Sequence, residues 1–77
     1  MLKDLLTEMI SNLVDHPEDV SINEIAGEHT HIFELRVNKE DLGKVIGKQG
    51  RTAKAIRTIL SAASVKDNKR AMLEILD

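Results

Sequence analysis

Gly47 and Gly50 separate two helix-patterned runs, and only Lys48 and Gln49 stand between them. One glycine is enough to end a helix in left-handed geometry. The second needs another reason. A backbone without Cβ atoms can approach another backbone closely, such as a sugar-phosphate chain. The loop also runs into a helix N-terminus, where free N–H groups and the dipole favour an anion. A plain helix–helix turn is the competing reading, because glycine is common in such connections.

The pattern around this loop predicts the rest of the chain. Leu2, Leu5, Leu6, Met9, Ile10, Leu13 and Val14 fall on one face at about 100° per residue, an amphipathic helix that should stop near His16 ahead of Pro17. A chain this small needs that face for its own core rather than for a dimer seam. Strand-like segments follow over Val20–Ala26 and Thr30–Asn38, separated by Gly27-Glu28, and a hairpin is the expected pairing. In the second strand His31, Phe33, Leu35 and Val37 share a face, so helices should cover the Phe33 side. Asn38 can cap the next helix, with Asp41 as the acidic half of a capping box. Leu42, Val45 and Ile46 form that short helix's apolar face, and Gly47 ends it. A further helix runs from Gly50 to about Ser64 on Ala53, Ile56, Ile59, Leu60 and Ala63, and a last strand alternates Ala71, Leu73 and Ile75 with Met72, Glu74 and Leu76.

The expected order is α-β-β-α-α-β, an α+β fold. A right-handed crossover through two helices should return the last strand parallel to Thr30–Asn38, giving a three-stranded mixed sheet with helices packed on one face. One domain over residues 1–77 is expected, with the first helix and strand in 1–28 and a β-α-α-β core in 29–77. With no cysteine, stability must come from packing. Acidic residues interrupt the first apolar stretch, so neither a signal peptide nor a membrane anchor is expected and the protein reads as cytoplasmic.

A net charge of −2 argues at first against nucleic acid. The total conceals an asymmetry. Residues 1–35 carry one base against eight acids, a balance of −7, whereas residues 36–77 carry ten bases against five acids, a balance of +5. From Lys39 to Arg57 six bases, Lys39, Lys44, Lys48, Arg51, Lys54 and Arg57, face only Glu40 and Asp41. Lys44 and Lys48 are a helical turn apart, and Arg51 and Lys54 lie on the solvent side of the following helix, so together they could flank the phosphates of a single strand. Solvation of helix surfaces is the ordinary alternative for each of them. Phe33 is the only aromatic residue, which excludes a platform that stacks bases on exposed rings.

The run Val45-Ile46-Gly47-Lys48-Gln49-Gly50-Arg51-Thr52-Ala53-Lys54-Ala55-Ile56 resembles the signature of the K-homology (KH) domain, whose Gly-x-x-Gly loop clamps about four nucleotides. The element order is similar to the type II, or bacterial, KH arrangement, so the resemblance covers nearly the whole chain. It is nearest to the stand-alone bacterial KH proteins of the KhpA type. The resemblance implies a single-stranded RNA-binding protein, an RNA chaperone or post-transcriptional regulator, linked in some bacteria to cell-wall homeostasis, cell shape and division. It also implies self-association and pairing with a larger Jag/KhpB-type KH protein. The implied RNA-binding set is Lys44, Val45, Ile46, Gly47, Lys48, Gln49, Gly50, Arg51, Lys54 and Ile56, with bases held against Val45, Ile46 and Ile56 between the loop and the central strand. Many KH motifs carry isoleucine where this chain has Ala53, which points to a shallower groove.

Other chemistry has little support. No nucleophile–base constellation is present, so an enzyme, a cofactor and a small-molecule substrate are not expected. His29 and His31 beside Glu28 lack a third ligand of suitable spacing for a metal. His16 reads as a helix C-terminal residue favoured by the dipole. The rival to direct RNA binding is a protein-interaction subunit whose RNA affinity depends mainly on its Jag/KhpB-type partner. Ile32, Met72 and Leu76, on the uncovered sheet face, are the candidates for partner contact.

Overall fold

The computed structural model describes residues 2–76, so the two ends of the expected 1–77 domain lie outside it. Its elements are α1 (Leu2–Leu13), β1 (Ser21–Ala26), β2 (Thr30–Arg36), α2 (Leu42–Ile46), α3 (Arg51–Ser64) and β3 (Arg70–Leu76), the expected α-β-β-α-α-β order. The sheet runs β1-β2-β3, with β1 antiparallel and β3 parallel to the central β2. The α+β class and mixed sheet are as the sequence predicts.

Alternation decides which side is covered. Phe33 lies between Glu24 and Leu73, and Leu35 between Ile22 and Ile75. Phe33 and Leu35 are fully buried, and with Leu6, Ile10, Val45, Ile56, Leu60 and Leu73 they form one core on the helix side of the sheet. Each such side chain contributes roughly 1.5–3 kcal/mol by leaving water. The stripes are narrower than the periodicity predicts, since Leu5, Leu13 and Ile59 stay 40–45% exposed. Leu5 and Ile59 sit at the margins of their helical faces, where the sheet does not reach.

Helix α1 ends at Leu13, earlier than Pro17 requires, and Pro17–Asp19 forms a separate 3-10 turn. The reason is tertiary. The backbone N–H groups of Asp15 and His16 donate to the Asp41 carboxylate at 3.2 and 2.9 Å, and the His16 Nδ1 lies 3.0 Å from the same group. Asp41 therefore does not serve as half of a capping box, and His16 lies beyond the end of α1, held by Asp41 and not by that helix's dipole. Asn38 does cap, but it caps the 3-10 turn Lys39–Asp41 that precedes α2 rather than α2 itself, its side chain accepting from the N–H of Glu40 at 2.8 Å. No described helix is long and apolar enough to cross a membrane.

Candidate nucleic-acid interface

The strand-to-helix join that starts α2 is held from both sides. Besides its bonds to Asp15 and His16, Asp41 lies 3.7 Å from the Lys44 ammonium, which also pairs with Asp15. Burial pushes the Asp41 carboxyl up, but the backbone N–H of Asp15 and the ring and N–H of His16 outweigh it and hold the group below its ordinary value. The hydrogen bond to Asp41 raises His16, and the one to Asp15 raises Lys44. This knot fixes α2, and α2 carries the glycine loop.

Gly47 has φ 78 and ψ 172, not the left-handed helical value predicted for it. It occupies a region that is essentially reserved for glycine. A Cβ there would stand 2.2 Å from the Thr52 Oγ1 and 2.8 Å from the Thr52 backbone nitrogen. Gln49 and Gly50 then follow at φ 58 and φ 74, both left-handed, and the Gly50 N–H donates to the Gly47 carbonyl at 3.1 Å. Two consecutive positive φ values reverse the chain within one turn. Around Gly50, by contrast, a Cβ would meet nothing within 4 Å. Gly47 is required by the protein's own packing, while Gly50 faces open space.

That space is the mouth of a cleft of about 240 Å³ lined by Leu42, Ile46, Gly50, Ala53, Arg57 and Ile75. Its far wall is Ile75 of the edge strand β3, not the central strand, because the crossover lays α3 beside β3. Ile46 is 38% exposed and available to a ligand, whereas Val45 and Ile56 are 0% and 4% exposed. Val45 and Ile56 therefore belong to the core and are not among the cleft's lining residues, against the expectation that bases would lie on them. Ala53, also nearly buried, forms the floor.

The expected cations divide into two groups. Lys44 is engaged by Asp15 and Asp41 on the side of the α1 end, so its charge is already shared. Lys48, Arg51 and Lys54 are exposed and, among the described residues, take part in no ion pair. Lys48 lies within the glycine loop, and Arg51 and Lys54 lie at the start of the helix that follows it. Arg57, Leu42 and Ile75 are cleft residues outside the expected set. Arg57 donates to the Leu73 carbonyl at 3.4 Å, bridging α3 to β3. The i, i+4 spacing of Ala53 and Arg57 could have revealed the latter, whereas Ile75 required knowing which strand α3 packs beside.

Comparison with known proteins adds ancestry to this geometry. The family model described as KhpA/KhpB, KH domain matches residues 3–75. The "RNA-binding protein KhpA" of Clostridium perfringens is 55% identical over 75 residues, covering 97% of this chain and all of that one. The protein of the same name from Chlamydia caviae is 53% identical, covering 99% of this chain and 97% of its own length. The one from Borreliella burgdorferi is 49% identical, with coverage of 96% and 90%. No solved structure matches the chain.

Proposed function

The chain belongs to the KhpA/KhpB KH-domain family, and from that premise we propose that it binds single-stranded RNA, with the glycine loop against the sugar-phosphate backbone and bases in the adjoining cleft. The observation that carries this reading is the contrast between the two glycines. Gly47 is accounted for by Thr52, but the space around Gly50 opens at the cleft mouth, where a backbone can approach, beside Lys48, Arg51 and Lys54, which join no ion pair among the described residues. The relatives' name, RNA-binding protein, agrees with it. A cleft whose lining side chains are aliphatic apart from Arg57 offers few side-chain groups to read base edges, which implies modest base preference and suits a chaperone or post-transcriptional regulator.

The test is the double substitution Lys48→Asp/Gln49→Asp. Aspartate tolerates left-handed φ better than most residues, so position 49 keeps its geometry and the fold should persist. Fluorescence anisotropy with a labelled single-stranded RNA should show binding abolished while the circular dichroism spectrum is unchanged. Undiminished affinity would sink the proposal.

A partner-dependent reading has its own observation. On the sheet face opposite the helices, Ile25, Ile32 and Met72 lie in one register row, with Ile25 46% and Met72 43% exposed. A second copy or a KhpB-type protein covering that row would supply part of the RNA affinity. RNA binding by the isolated chain at concentrations where sedimentation finds it monomeric decides for the first reading.

A further inference from the structure

The cleft beside the glycine loop is one end of a longer furrow. Gly50, Ala53, Arg57, Ser61 and Ser64 recur at three- and four-residue spacing and so form one stripe along α3. Opposite them, in reverse order, lie Ile75, Leu73 and Ala71 of β3. The near cleft takes Gly50, Ala53, Arg57 and Ile75 from these two rows, and Arg57 reaches the Leu73 carbonyl in the middle. Beyond it a second, shallow cleft of about 480 Å³ is lined by Ser61, Ser64, Ala71, His29, Lys69 and Arg70, among others.

The far cleft brings two cations, Lys69 and Arg70, to the end of this furrow. Its described lining residues include Lys69 and Arg70 and no carboxylate, and neither of the two joins an ion pair among the described residues. The Lys69 ammonium lies 3.1 Å from the His31 Nε2, and the other nitrogen of that ring lies 3.5 Å from the Glu24 carboxylate, so Lys69 is positioned without a direct carboxylate contact among the described residues. Gly50 and Ser64 are 14 positions apart, which at about 1.5 Å per residue is about 21 Å of helix. At about 3.4 Å per nucleotide of a stacked strand, that length corresponds to roughly six nucleotides, more than the four a glycine loop clamps.

We infer that the furrow between α3 and the free edge of β3 is one continuous track, and that its far cleft, at Lys69 and Arg70, holds the backbone of nucleotides beyond those gripped by the loop. Arg57 stands at the joint between the two segments, where it can meet the intervening phosphate. This inference rests on the RNA-binding reading of the near cleft. It adds a length requirement that the loop alone does not impose.

The test titrates the protein with a uridine tetramer and a uridine octamer, using ¹⁵N amide shifts, which detect weak binding. The variants are Ser61→Glu, which places a negative charge in the far cleft, and Lys69→Ala. Both oligomers should move amides around Gly47–Arg51, and only the octamer should move those from Ser61 to Ala71. The variants should bind the tetramer as wild type does, lose affinity for the octamer, and show a log–log salt slope shallower by about 0.7 for each phosphate no longer neutralised. A longer strand offers more registers to a short site, so the readout is wild type against variant rather than octamer against tetramer. Octamer affinity unchanged in both variants, or tetramer affinity reduced equally, overturns the extended track and leaves the loop reading standing. Wild type binding neither oligomer overturns both.

Discussion

Gly47 packs directly on Thr52: a Cβ added to Gly47 would lie 2.2 Å from the Thr52 hydroxyl and 2.6 Å from its Cβ. The first glycine of the loop is thus a packing residue inside the protein, and the loop's shape precedes any ligand.

Gly47→Ala should therefore cost about 3 kcal/mol or more, the sum of backbone strain and a clash that neither residue can relieve. Gly50→Ala meets no atom and should cost only about 1–2 kcal/mol, from its left-handed φ. Removing the hydroxyl in Gly47→Ala/Thr52→Ala should restore little, because the Thr52 nitrogen remains 2.8 Å away. Urea denaturation of the three variants checks the order.

Gln49 holds φ 58 without being glycine. Gln49→Asn should stabilise the fold by about 0.5–1 kcal/mol, since asparagine visits that region at lower cost. Thermal melts read the gain. An accompanying change in RNA affinity would assign a contact to the glutamine side chain.

Stability should pass through a maximum in mildly acidic solution. The Asp41 carboxyl is lowered from 3.8 in the fold, so its contribution is present above that value and is lost as pH falls through the folded pKa. His16 is raised from 6.5, so its contribution is full below that value and is lost as pH rises through the folded pKa. The plateau lies between the two. Asp41→Asn should lower it and flatten both limbs, as chemical denaturation across pH 3–8.5 would show.

Lys44 and Lys48, one helical turn apart in sequence, should behave oppositely. Lys48→Ala should reduce RNA affinity and make the log–log salt slope shallower by about 0.7 with little effect on stability. Lys44→Ala should leave the slope nearly unchanged and lower the melting temperature, because it strips Asp15 and Asp41 of their cation. Paired salt titrations and melts separate them.

The periods of 3.6 and 2 residues marked every element because each strand and helix buries one face, and that requirement is written locally in residues such as Leu6, Ile10, Phe33 and Leu60. The glycine spacing and the split of charge located the candidate site for the same reason: backbone freedom and charge belong to individual residues. Where each side chain ends was another matter. That Val45 and Ile56 are buried in the core, that Ile75 of an edge strand forms the cleft's wall, and that Lys44 turns toward Asp15 all depend on the angle at which α2 and α3 meet the sheet. Asp41 is the clearest case. Its neighbours in sequence made it a cap, and residues 25 and 26 positions away made it the buried tie between α1 and the loop's supporting helix. Alone, the sequence determined which segments fold and which four residues break the helix; the tertiary structure decided which charges remain free, because only packing brings distant carboxylates within reach.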